Sequence, residues 1–225
     1  MKQHPIRPWA VLFWLLAWQG AAMALAAAFP HGELLLASPV SALVRLVSLA
    51  GTGAFWAAVG RSAAAILGGF VFSCVLAIAL AALSARFRAV GELLAPLVAA
   101  VKAVPVVSFI ILALVWLDSD SLALFISALM VFPPIYLNVL AGIGAADRQL
   151  LEMARVFRVP FRRQLWGIWL PAVLPYFRSA ASLALGLCWK AGVAAEVIGL
   201  PAGTVGERLY TAKVYFQTPD LFAWT

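Results

Sequence analysis

Three cations sit inside stretches that are otherwise apolar enough to enter a bilayer: Lys102, Arg178 and Lys190. A charge in the hydrocarbon costs from about 2.5 kcal/mol upward, so it is kept where a partner, water or a permeating solute meets it. All three are positive, and a path lined by them would favour anions. Snorkelling to the headgroups, or a pairing such as Lys190 with Glu196, would explain Arg178 and Lys190 equally well. Pro105, Asn138 and Glu196 complete the candidate path residues. A second kind of chemistry is offered by Gln149–Pro171, QLLEMARVFRVPFRRQLWGIWLP, the longest strongly charged segment of the chain. Its apolar residues Leu150, Leu151, Met153, Ala154 and Phe157 fall on one helical face about two turns long. Val159-Pro160 should stop that helix, because the proline ring disfavours helical geometry in the residue before it. A short amphipathic helix with a firm stop presents a knob to a partner.

Catalysis has little support. No glycine is followed by lysine, so the phosphate cradle of a P-loop is absent, and so are G-x-S-x-G and H-E-x-x-H. Cys74 and Cys188 lie in separate apolar stretches, and His4 and His31 have no ligand-spaced neighbours, so neither a disulfide framework nor a metal site is expected. The chain is read as a non-enzyme with no cofactor of its own.

The elements that must hold these residues are lipid-soluble helices. The sequence is 65% hydrophobic and 11% charged, with a mean hydropathy of +1.01, about half the charge of a soluble domain. The net charge of +7 is spread over loops beside apolar runs, where it sets orientation; no nucleic-acid surface is expected. An all-α integral membrane protein follows, one transmembrane domain over 1–225 with spans near 9–29, 61–83, 93–117, 122–141 and 170–192. Ala24-Leu25-Ala26 also fits a signal-peptidase site, which would remove residues 1–26. Val40 to Leu49 reads as an amphipathic surface helix with Arg45 on its polar side. The second span carries small residues at every fourth position, Ala65, Gly69, Ser73, Ala77 and Ala81, a stripe that lets another helix come close. The third span is interrupted by Pro96, Lys102 and Pro105, and Asp118 to Ser121 forms an acidic turn. Pro133-Pro134 should break or kink the fourth span. An outer segment covers 193–219, and residues after 220 begin a sixth span that then stops.

Basic residues collect in Lys2 and Arg7, in Arg86 and Arg88, and in the 142–167 loop at Arg148, Arg155, Arg158, Arg162 and Arg163. The turn at Asp118 and Asp120 has none. By the positive-inside rule the N-terminus and the 142–167 loop are cytoplasmic.

Glu152-Met153-Ala154, three residues, Arg158, nine residues, then Ile168, one residue and Leu170-Pro171 resembles the cytoplasmic EAA loop of ATP-binding-cassette importer permeases. Met153 departs mildly from the family's alanine. Arg158 replaces its glycine, which questions a left-handed turn there and shifts the bend to Pro160. Lys102-Ala103-Val104-Pro105 resembles the basic-x-x-Pro step of permeases for nitrate, sulfonates and taurine. Trp189 to Glu196 is similar to their W-x-x-x-V-x-A-E segment, and Gly203 to Gly206 to the turn that follows it.

The resemblance implies a type I importer permease bundle in a bacterial inner membrane with a sixth span, which this sequence is expected to miss either by truncation or as a natural five-span variant. It implies coupling to ATP-binding subunits through Leu150, Glu152, Met153, Ala154, Phe157, Arg158, Leu170 and Pro171. It also implies two such ATPase subunits holding ATP and Mg, a second permease copy or paralogue, and an extracytoplasmic solute-binding protein. The expected solute is small and anionic or polar; related permeases carry pyrimidine vitamin precursors, so the cations alone do not settle an oxyanion. An ATP-independent anion carrier or channel, and a membrane scaffold without transport, are the rival readings of the same residues.

Overall fold

The computed structural model describes residues 7–225, so Lys2 and His4 of the basic N-terminal stretch lie outside the described residues. Every regular element is helical: α1 (Pro8–Ala28), α2 (Pro39–Ala50), α3 (Gly53–Arg86), α4 (Arg88–Ala103), α5 (Val106–Ala113), α6 (Ser119–Gly144), α7 (Arg148–Val156), α8 (Phe161–Gln164), α9 (Leu170–Gly199), α10 (Val205–Val214) and α11 (Thr218–Trp224). Helices α1, α3, α6 and the continuous run Phe161–Gly199 are long and apolar enough to cross a membrane, and the bent pair α4 with α5 makes a fifth crossing if taken as one.

Several boundaries differ from expectation. The third span is not one rod over 93–117, because α4 and α5 meet at 104°. Pro105 is responsible: it has no N–H to continue α4, and it holds Val104 in the extended region at φ −81°, ψ 134°. Pro133-Pro134 act differently, since α6 runs through both without interruption. Val131, Phe132, Pro133 and Ile135 are buried around that point, and packing on all sides holds the helix where two missing donors would otherwise break it. The acidic turn at Asp118 to Ser121 is the start of α6, with Asp118 as its N-cap. Helix α3 begins eight residues before the expected Arg61. Helix α9 continues past residue 192 to Gly199, so the expected outer segment 193–219 opens as helix and then holds α10.

The chain divides into two compact units, Ser62–Gly199 and Met1–Arg61 with Leu200–Thr225. In the first, α6 and α9 make the most extensive packing. The small-residue stripe of α3 faces inward as the spacing implies: Ser73 is 1% exposed, Ala77 and Ala81 are fully buried, and Gly69 is buried with them. A Cβ at Gly69 would lie 2.3 Å from the Leu124 carbonyl oxygen on α6, and one at Gly192 on α9 would lie 2.5 Å from Ile66 Cγ1 and 2.6 Å from Ser127 Oγ. The Ser127 hydroxyl donates to the Cys188 carbonyl at 3.2 Å, tying α6 to α9 where lipid could not satisfy it.

The second unit is held by polar clasps. Helix α2 starts with Ser38, whose hydroxyl accepts from the Ser41 N–H at 3.1 Å, followed by Pro39 in the first turn. The Trp18 indole donates to the Ala37 carbonyl at 2.9 Å and its ring lies 5.4 Å from that of Phe222. Thr218 donates to the Leu34 carbonyl at 2.6 Å, and Arg45 forms a two-pronged ion pair with Asp220. That pair draws α11 onto α2 and raises the Arg45 pKa above its ordinary value, chiefly through the hydrogen bonds.

Gly69→Ala should lower stability by about 1–3 kcal/mol, because the new methyl meets backbone rather than a movable side chain. Gly68→Ala, whose nearest neighbour would be 3.7 Å away, should be near neutral. Thermal unfolding of the two variants in detergent separates them; equal midpoints would show that the α3–α6 approach is not close.

Candidate functional site

The amphipathic knob forms as α7. Asp147 caps it, its carboxylate accepting from the Gln149 N–H at 2.8 Å, which satisfies one of the free donors of the first turn. Its apolar surface is exposed: Leu150, Met153, Val156 at 77% and Phe157 at 74% all face outward, with Glu152 beside them. Ala154 does not belong to that surface. It is 2% exposed and anchors the inner side of the helix, so its small size serves packing rather than contact with a partner.

Helix α7 ends differently from the sequence expectation. Arg158 adopts φ +51°, the left-handed conformation that its replacement of glycine had placed in question. The Arg158 N–H bonds to the Arg155 carbonyl at 3.1 Å and the Val159 N–H to the Ala154 carbonyl at 2.8 Å. Those two bonds are a Schellman cap with arginine at the position glycine usually holds. The cap ends the helix at Val156, and Pro160, which follows in extended geometry, opens α8 instead of setting the bend. Between α8 and α9 the backbone widens into one π-turn at Leu165–Trp169. Pro171 explains it: the ring would clash with the carbonyl four residues earlier, at Gly167, and the wider turn moves that carbonyl away. Leu170 and Pro171 are exposed at the first turn of α9.

The six path residues are not brought to one place. Lys102 lines a groove of about 740 Å³ together with Arg86, Arg88, Glu92, Ser84 and Tyr136. Neither Pro105, Asn138, Arg178, Lys190 nor Glu196 lines it. Arg178 and Lys190 are exposed on α9. Glu196, six residues beyond Lys190 and on a different face, is 1% exposed and accepts from the Ser62 hydroxyl at 2.8 Å, so the suggested Lys190–Glu196 pair does not form. Asn138 turns its amide back to the Pro134 carbonyl of its own helix at 2.9 Å.

The groove holds residues that charge counting had assigned only to membrane orientation. Arg88 donates to Glu92 at 2.8 Å across one helical turn, and the Tyr136 hydroxyl donates to Ser84 at 2.9 Å. Lys102 projects into the same groove with no acidic partner among the described residues. Ser84, Tyr136 and Ser62 carry no sequence signal, because a lone hydroxyl in an apolar run has no pattern to mark it. Three or more potential metal ligands do not cluster anywhere among the described residues.

Four long apolar helices, a bent pair, a charged groove and an exposed amphipathic helix between the last two long crossings describe a multi-pass membrane protein, and its relatives give its class. Residues 73–224 match the family of binding-protein-dependent transport system inner membrane components. The chain is 30% identical over 192 residues to a probable ABC transporter permease of Brucella melitensis, covering 85% of this chain and 78% of that one. It is 30% identical over 156 residues to a putative aliphatic sulfonates transport permease of Bacillus subtilis, covering 69% and 56%. It is also 28% identical over 189 residues to a riboflavin transport system permease of Chloroflexus aurantiacus, covering 84% and 70%. The chain belongs to this family of ATP-binding-cassette importer permeases, multi-pass inner-membrane subunits that work with an ATPase and a solute-binding protein.

Arg158→Gly should stabilise the α7 cap by about 1 kcal/mol, since a left-handed residue with a Cβ costs about that much. Arg158→Val should destabilise it further, because branching at Cβ crowds this conformation most. Protease susceptibility of the 148–160 segment in the purified subunit reads the order Gly, Arg, Val; any other order counts against the cap.

Proposed function

We propose that α7 is the surface on which the ATPase subunit seats, and that the Lys102 groove receives the anionic end of the imported solute. The observation that carries the first half is the outward cluster of Leu150, Met153, Val156 and Phe157 on an otherwise charged helix. Such a surface, ringed by Glu152, Arg155 and Arg158, has the apolar centre and polar rim of a docking site. Two ATPase subunits, each holding ATP and Mg, would act on two such helices, one from this chain and one from a second permease copy or paralogue. Closing of the ATPase pair on ATP would draw the helices together and tilt the spans, moving solute access from one side of the membrane to the other. The basic 142–167 loop supports a cytoplasmic α7 and N-terminus by the positive-inside rule.

The second half rests on charge. The sulfonate and riboflavin permeases differ in solute by name, so the solute class for this chain is read from its own groove. A lysine without an acidic partner there, flanked by Arg86 and by an Arg88 already paired with Glu92, favours a small solute with one carboxylate, sulfonate or comparable anionic group. Arg178 and Lys190, away from that groove, are assigned to the headgroup region by snorkelling.

Glu152→Lys and Phe157→Asp should each weaken co-purification of the ATPase by at least about tenfold while membrane insertion stays intact, as removal of a central docking contact does. Ala154→Asp is a different experiment, because it buries a charge and should lower folded yield instead. Normal ATPase association in both surface variants would exclude α7 as the docking helix.

Lys102→Gln should raise the KM for uptake about tenfold in proteoliposomes containing the full transporter, the loss expected for one charge-assisted hydrogen bond. Arg178→Gln and Lys190→Gln should stay within about twofold of wild type. Unchanged uptake in Lys102→Gln would remove the groove from the path.

A further inference from the structure

A cavity of about 280 Å³ lies wholly within the unit formed by Met1–Arg61 and Leu200–Thr225, and none of the residues assigned to coupling or transport lines it. Its walls come from α2, the turn after it, the start of α3, α10 and α11, and its polar residues are Arg45, Thr52, Asp220, Arg208, Thr211 and Gln217, with Trp224 as an apolar side.

The charges in it do not cancel. Both prongs of Asp220 are taken by Arg45, Nη2 to Oδ2 at 2.9 Å, so that pair is neutral as a unit. Arg208 has no acidic partner among the described residues, leaving one guanidinium uncompensated beside the Thr211 hydroxyl and the Gln217 amide. A guanidinium fork with two further donors suits a tetrahedral oxyanion better than a carboxamide or a neutral sugar.

What covers the cavity is indicated by α2. That helix exposes Val40, Leu43, Val44 and Val47 on the face turned away from Arg45, so the cavity lies on the polar side of an amphipathic helix whose other side is aliphatic. An interfacial helix has that composition, with its apolar face among acyl chains and its basic residue at headgroup level. With that aliphatic face among acyl chains, the cavity on the polar side sits at headgroup level, where phospholipid phosphate is the oxyanion at hand.

We propose that this cavity binds the phosphate of an anionic phospholipid headgroup, with Arg208 as its principal ligand and the neutral Arg45–Asp220 pair as its wall. Bound there, the lipid would bridge α2, α10 and α11 and stabilise the clasp that Arg45 and Asp220 begin.

The test uses the intact transporter, delipidated in detergent and titrated with phosphatidylglycerol or phosphatidylcholine while native mass spectrometry counts the lipids retained. Wild type should prefer phosphatidylglycerol by about tenfold. Arg208→Gln should abolish the preference, Arg208→Lys should keep part of it, and Thr211→Val should lower it a few-fold at unchanged charge. Equal retention of the two lipids by wild type, or an undiminished preference in Arg208→Gln, overturns the proposal. Inorganic phosphate at millimolar concentration separates the sources: failure to displace the lipid supports the headgroup, and displacement of it with equal thermal protection assigns the site to a soluble anion and overturns the lipid assignment. Should Arg208→Gln fail to assemble, the graded responses of Arg208→Lys and Thr211→Val still decide the matter, since a purely structural Arg208 would leave lipid preference unmoved in both.

Discussion

Helices in lipid gain nothing from hiding apolar surface from one another, so their association depends on how closely their backbones can approach. In this chain that approach is made where α3, α6 and α9 meet. Gly69 lets α3 lie against the Leu124 carbonyl, and Gly192 lets α9 reach Ile66 and Ser127. Across the same junction Ser127 donates to the Cys188 carbonyl, and Ile66, Ile126 and Ala195 are fully buried in the unit's core. The burial ordering of the spans follows: most of the apolar stretch of α6 is buried, while α1 is almost entirely exposed. Helix α6 is therefore the member around which its unit is built.

The prolines show how the same residue has opposite outcomes in different surroundings. At Pro105 the missing donor and the restriction on Val104 end one helix and start another at a steep angle. At Pro133-Pro134 neighbours crowd the helix on several sides, and unwinding it would expose carbonyls to an apolar interior that cannot bond them. At Pro171 an intermediate solution appears, a single π-turn that relieves the clash without interrupting the run from Phe161 to Gly199.

The strongest periodic signals in the sequence became structure almost unchanged. The fourfold small-residue stripe of α3, the amphipathic Val40 to Leu49 segment and the Leu150 to Phe157 helix are all present. Less legible was anything decided by where a helix faces. Lys102, Arg178 and Lys190 look alike as cations in apolar runs, and the fold separates them, placing Lys102 in a groove and the other two outside it. Arg86 and Arg88 have a plain electrostatic reading as loop charges, and that reading conceals their place beside Lys102. Ala154 matches the family pattern yet turns inward, because a motif records which residue is required and not the side of the helix that requires it.

Arg158 bears on how force would pass through such a subunit. A glycine at the end of α7 would adopt the left-handed turn freely, but it would also let the chain leave it freely. Arginine in the same conformation is strained, and it is held by the two Schellman bonds to Arg155 and Ala154, the latter fixed in place by burial of its own side chain. From that cap the backbone continues through Pro160, α8 and the π-turn into α9 with no residue of free φ except Gly167, which sits inside the π-turn itself. If α7 is the docking helix proposed above, a push on it would reach α9 through the capped turn, the extended Val159-Pro160 step and the helical run from Phe161, and would reach α3 and α6 through the contacts of Gly192 and Cys188.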